Sequence, residues 1–163
     1  MTTELEEGAK APNFELPTAL GQTVRLGALK RQKVVLYFYP KDDTTGCTAE
    51  AIAFNGLKAQ FTKAGAQIIG VSPDSSASHA RFSRKHKLGL TLASDEARDM
   101  LRAYGVWVEK SMYGRKYMGV ERTTFLIDAE GVIARIWRKV KTPGHAERCW
   151  GLRGRSDSPF GKG

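Results

Sequence analysis

An α/β sandwich, with a central mixed β-sheet flanked by helices, is the fold class this sequence predicts. Two almost continuously apolar runs, Lys33–Tyr39 and Ala66–Ser72, enclose a stretch of helical period, Thr44–Lys63. Strands buried on both faces read this way, as in a parallel sheet covered by helices. Further on, Thr123–Asp128 and Val132–Trp137 are strand-like and separated by the turn Ala129-Glu130-Gly131, the pattern of a hairpin. The order β-α-β-α-β-α, then a hairpin, then α, gives a thioredoxin-like arrangement. No GxGxxG follows a strand, so nothing supports a dinucleotide fold.

Each element has its own signal. The start is rich in Gly, Pro and Ala, with short extended pieces expected at Asn13–Leu16 and Thr23–Arg25 around a Gly21-Gln22 turn. Pro40 ends the first long strand. In the helix that follows, Cys47, Ala51, Phe54, Leu57 and Phe61 fall on one side at about 100° per residue, with Lys58 at its edge. Gly65 stops that helix. Ser75–His86 reads as a helix, Leu88–Ser94 as a short strand and Glu96–Tyr104 as a short helix. Tyr113–Met118 reads as strand or hairpin, and Pro143–Trp150 as a last helix. One domain, 5–150, is expected, followed by a basic, disordered tail over 151–163.

Composition bounds the function. The 163 residues are 41% hydrophobic and 26% charged, the balance of a soluble globular protein. No apolar run reaches the roughly 20 residues that span a bilayer, and the polar, acidic start is not a secretory signal. A cytoplasmic location is therefore the expectation, with no membrane partner. The net charge is +9, and from Gly131 onward eight Lys or Arg face two acidic residues. A basic tail can attract phosphates non-specifically. Without aromatic and basic residues interleaved, a solvated terminus is expected and nucleic acid is not an expected partner. The two cysteines, Cys47 and Cys149, form neither CxxC nor a zinc-site spacing, and such sparse usage suits a reducing compartment. His79, His86 and His145 show no metal spacing and are expected at the surface. Trp107 and Trp137 are expected to pack.

Cys47 sits just after a strand, in the first turn of a helix. Unpaired N–H groups and the positive end of the helix dipole stabilise an anion there, which favours the nucleophilic thiolate. Gly46 allows close backbone approach, and the hydroxyls of Thr44 and Thr48 are within reach of sulfur or a substrate oxygen. Pro40 could shield one side of the pocket from water. Taken locally, a buried spacer explains Cys47 as well as a catalytic thiol does.

Pro40, Thr44 and Cys47 form Pro-x-x-x-Thr-x-x-Cys, which resembles the active-site signature of the peroxiredoxins. "VVLYFYPKDDTTGCTAEA", with "YGVWVEKSMYGRKYMGVERTTFLID" downstream, is similar to the bacterioferritin-comigratory (peroxiredoxin Q) subfamily over about Leu5 to Glu147. The resemblance implies a peroxidase in which the Cys47 thiolate attacks a hydroperoxide and becomes a sulfenic acid. It makes Arg122 the active-site arginine, with Thr44 and backbone N–H groups stabilising the charge redistributing along the O–O bond. No metal, flavin or other cofactor is implied.

Two departures matter. Many members of the subfamily carry a resolving cysteine five residues after the peroxidatic one, where this chain has Ile52. Residues five apart on a helix are rotated by about 140° and separated by roughly 7.5 Å, so such a pair forms a disulfide only if the helix unwinds. Thr45 stands where members usually have proline. Cys149 is the remaining internal candidate, in a segment expected to be mobile, but "AERCWGL" matches no resolving motif. The expectation is a one-cysteine enzyme reduced by thioredoxin, glutaredoxin or a small thiol, acting as a monomer or homodimer. The alternative is a non-catalytic thioredoxin-fold chaperone or binding protein that uses the basic tail; a cysteine hydrolase lacks a histidine partner motif.

Overall fold

The computed structural model describes residues 5–19, 21–29 and 31–150; the expected basic tail over 151–163 lies outside the described residues. Nine strands and four α-helices follow in order among the described residues. They are β1 (Glu15–Pro17), β2 (Thr23–Arg25), β3 (Lys33–Phe38), α1 (Thr45–Lys63), β4 (Ala66–Ser72), α2 (Ser76–His86) and β5 (Thr91–Ser94). Then come α3 (Asp99–Ala103), β6 (Trp107–Met112), β7 (Arg115–Val120), β8 (Thr123–Ile127), β9 (Ile133–Trp137) and α4 (His145–Trp150).

The central sheet has the order β5-β4-β3-β8-β9. β3 pairs parallel with β4 and antiparallel with β8, so the sheet is mixed, as predicted. Its three inner strands, β4, β3 and β8, are buried on both faces because their apolar residues alternate between two cores. Val34, Leu36 and Phe38 join Ile69, Val71, Phe125 and Ile127 against α3 and the N-terminal strands. Val35, Tyr37 and Tyr39 join Ile68, Leu92 and Leu126 against α1, α2 and α4. Cys47, Ala51, Phe54 and Phe61 of α1 enter this second core, while Leu57 only packs at its edge.

The sequence reading differs from the structure where side chains face solvent. The first strand starts two residues later than Asn13–Leu16 suggests, and the strand read from Leu88 begins at Thr91. The helix read as Glu96–Tyr104 shortens to Asp99–Ala103, because Arg98 before it takes a left-handed φ of 66°. Tyr113–Met118, read as strand or hairpin, belongs to a hairpin that starts earlier, at Trp107. Tyr113 and Gly114, at φ 52° and 77°, form the turn between β6 and β7, the backbone that a two-residue hairpin requires. This ribbon carries no buried apolar period, so its limits were not legible.

Candidate active site

β3 ends where the sheet changes direction, with β4 parallel on one side and β8 antiparallel on the other. Crevices at the carboxyl ends of strands beside such a point are the usual ligand sites of open α/β sheets. The loop leaving β3 enters α1 through Thr44, whose extended backbone (φ −93°, ψ 158°) is that of an N-cap. Cys47 then lies in the first turn of α1, 1% exposed.

Arg122, on the short segment between β7 and β8, reaches across to it. Its Nη2 donates to Cys47 Sγ at 3.1 Å, and its Nη1 donates to Glu50 Oε1 at 2.6 Å. One guanidinium fork therefore bridges the sulfur and a carboxylate one helical turn further on. A fixed positive charge at this distance stabilises negative charge on sulfur. A Cβ at Gly46 would stand 3.4 Å from Arg122 Nη2, so the glycine gives the guanidinium its room.

Glu50 is fully buried, and its Oε2 has no hydrogen-bond partner among the described residues. Burial pushes its carboxyl up to about 7 against the opposing charge and hydrogen bond of Arg122. From sequence, Glu50, one turn after Cys47, fits a bond to the local network and a first-turn carboxylate suited to the helix dipole equally well. Its spacing of three from Cys47, with Ala51 and Phe54 on the same face, was the available signal of a buried position.

The other expected residues are placed less directly. Thr44 is exposed, and its hydroxyl donates to Lys41 O at 2.9 Å, so in this arrangement its proton does not go to the sulfur. Pro40 is half-buried at the start of the loop. Ile52 is 50% exposed on α1.

Two expectations are overturned. Cys149, read as accessible in a mobile segment, is completely buried in α4, which packs its apolar face on α1. Burial, reinforced by Glu50, pushes its thiol well above the usual range. The histidines are not a surface set either, since His79 and His145 are buried. His145 Nε2 is 2.8 Å from Thr124 Oγ1 and 3.4 Å from Cys149 Sγ, and burial drives its pKa down to about 4.

His79 belongs to a polar network beneath the loop that carries Cys47. Its Nδ1 is 2.7 Å from Asp42 Oδ2 and its Nε2 is 3.0 Å from Ala93 O. Tyr39 Oη donates to Asp42 Oδ1 at 2.6 Å and Ser78 Oγ to Asp42 Oδ2 at 2.8 Å. The backbone N–H of Asp42 donates to Asp74 Oδ2, which also receives Ser72 Oγ. Asp42, Asp74 and His79 lie close enough to hold a cation, yet these mutual bonds already explain their approach. The network fastens the loop to β4, β5 and α2, fixing where α1 begins.

The AhpC/TSA family matches residues 8–136. The chain belongs to the peroxiredoxins. Peroxiredoxin Bcp of Bacillus subtilis is 48% identical over 141 residues, 86% of this chain and 90% of the relative. A Xanthomonas campestris bacterioferritin comigratory protein, studied for alkyl peroxide reduction in trapped intermediate and ligand complexes, has a TM-score of 0.80 and 45% identity. That match covers 83% of this chain and 86% of the other. A cysteine-to-serine variant of peroxiredoxin Q from Xylella fastidiosa has a TM-score of 0.85 and 38% identity, covering 90% and 93%. This peroxiredoxin thus shares both sequence and thioredoxin fold with the Bcp branch, as the Pro-x-x-x-Thr-x-x-Cys stretch and Arg122 suggested. No described helix is long and apolar enough to cross a membrane.

Proposed function

We propose that this peroxiredoxin is a one-cysteine, thiol-dependent peroxidase that reduces hydrogen peroxide and organic hydroperoxides through Cys47. The observation carrying this reading is the Arg122 guanidinium 3.1 Å from Cys47 Sγ, itself held by buried Glu50. Sulfur attacks one peroxide oxygen, the O–O bond breaks, and the departing oxygen leaves as water or alcohol after taking a proton. Cys47 is left as a sulfenic acid. Arg122 and the N–H groups of the first turn of α1 stabilise the charge that develops on both oxygens. Thr44 and Pro40 border the approach.

Reduction of the sulfenic acid comes from outside the chain. Ile52 removes the usual neighbour, and Cys149 is sealed in the second core with its proton held firmly. An external thiol, such as thioredoxin, glutaredoxin or a small thiol, condenses with the sulfenic acid and releases water. That requirement, and the sparse cysteines, fit a reducing cytoplasm.

The test is stoichiometric. Reduced protein mixed with one equivalent of hydrogen peroxide is expected to consume it rapidly and gain one oxygen on Cys47, with Cys47→Ser losing both effects. Equal, slow consumption by wild type and Cys47→Ser would falsify the reading.

A further inference from the structure

Among the described residues, the large apolar side chains left most exposed are Ile52, Met112, Tyr113, Tyr117 and Met118, and all but Ile52 belong to the β6–β7 ribbon. The ribbon is its own two-stranded sheet. It is closed at the root by Glu121 N donating to Val106 O at 2.8 Å, one residue before Arg122. A two-stranded ribbon is marginally stable in water, so bare Met and Tyr surface along it serves no evident folding purpose. Such a patch beside a reactive group marks an interaction site.

Register assigns the faces. Val108↔Gly119, Lys110↔Tyr117 and Met112↔Arg115 share one face, and Trp107↔Val120, Glu109↔Met118 and Ser111↔Lys116 share the other. On the first face, a Cβ at Gly119 would stand 3.3 Å from Lys110 Cδ and 3.5 Å from Tyr117 Cε2, so the glycine makes space for that pair. This face carries Lys110 and Arg115 and no carboxylate. The ribbon lies beside the active site at its root, because β7 runs through Glu121 into Arg122, whose Nη2 donates to Cys47 Sγ. The other face carries Glu109, and its Trp107 ring takes the Arg98 guanidinium at 5.1 Å from its centroid.

Charge selects the occupant. A second copy meeting this face through a two-fold axis would set Lys110 and Arg115 against their like, in a chain of net charge +9. A partner with an acidic rim is attracted instead. We propose that the Met112, Tyr117 and Arg115 face of the β6–β7 ribbon is the docking surface for an acidic protein dithiol that reduces oxidised Cys47. The proposal rests on the peroxidase reading. One partner thiol attacks the sulfenic sulfur, forming a mixed disulfide and releasing water. The second attacks the partner's own sulfur, expelling the Cys47 thiolate. The dithiol supplies both electrons and leaves as a disulfide. Tyr, Met and Arg are the residue types enriched in such interfaces.

The probe is an acidic bacterial thioredoxin kept reduced by its reductase, run beside dithiothreitol with hydrogen peroxide as substrate. Met112→Ser/Tyr117→Ser and, separately, Arg115→Glu are expected to raise the KM for thioredoxin about tenfold or more. Dithiothreitol-supported turnover and the single-turnover consumption of peroxide should stay within twofold. A thioredoxin KM unchanged in both variants overturns the proposal, as does a wild type that dithiothreitol reduces and thioredoxin does not. Sedimentation showing a wild-type dimer that these substitutions dissociate also overturns it, giving the face to a second copy. A wild type that consumes no peroxide in the single-turnover phase instead defeats the peroxidase reading.

Discussion

Glu50 shows how one residue changes meaning between sequence and structure. Its carboxyl accepts from Arg122, and burial raises its pKa to about 7. As it ionises, its hydrogen bond from the already charged Arg122 becomes an ion pair and fixes the guanidinium more firmly against Cys47. The rate of peroxide consumption should therefore rise with pH through about 7. Charge-assisted bonds contribute roughly 1.5–3 kcal/mol, so Glu50→Gln should slow the peroxide step by about ten- to a hundredfold. It should also remove that limb of the profile, which stopped-flow measurements across pH would show. A merely structural Glu50 would lower the rate by one factor at every pH. Stability has its own sign. Between the ordinary 4.5 and about 7 the folded chain keeps a proton that the unfolded chain has released, so Glu50's contribution falls as pH rises through that window.

At the scale of elements, α1 is positioned by aromatic packing on β3 as much as by its own capping. Tyr37 stacks on Phe54 of α1 at 4.7 Å and on Tyr39 at 5.5 Å. Gly70 on β4 leaves the space for that ring: a Cβ there would stand 2.7 Å from Tyr37 Cζ and 3.0 Å from Leu92 Cδ2. Gly70→Ala should therefore push Tyr37 against α1 and destabilise the fold by about 1–3 kcal/mol. Urea unfolding checks this, and a variant as stable as wild type would mean that the ring can turn aside freely. β3, β4 and α1 were legible because apolar runs and a 3.6-residue period survive in sequence. A hairpin was legible at Tyr113–Met118 but the limits of the β6–β7 ribbon were not, since an exposed hairpin owes its limits to a two-residue turn and to pairing, not to burial.

For the molecule as a whole, the Asp42–His79 network joins the catalytic loop to β4, β5 and α2. Burial raises the Asp42 carboxyl, but the hydrogen bond and charge of His79, with Tyr39 and Ser78, outweigh it and hold it below its ordinary value. A depressed carboxylate contributes stability above its unfolded pKa and loses it as pH falls through the folded one. Leaving the buried hydrogen-bonding partners of such a carboxylate unsatisfied costs about 1–3 kcal/mol. Asp42→Asn should therefore be less stable than wild type by roughly that amount at pH 7, with the gap closing below about pH 4. Urea titrations stepped downward in pH test it; a constant gap would show that Asp42 contributes by packing alone.

The sequence by itself determined the layered α/β fold and the position of Cys47 at a helix start. These follow from local chemistry: hydrophobic period and strand-ending residues. Arg122 came only by resemblance, since 75 positions separate it from Cys47 and no periodicity links them. Tertiary structure alone decided that Glu50, His79 and His145 are buried, that Cys149 is sealed, and which apolar side chains of the ribbon stay exposed. A polar residue's burial depends on partners brought from distant strands and helices, and those partners have no local trace in the chain.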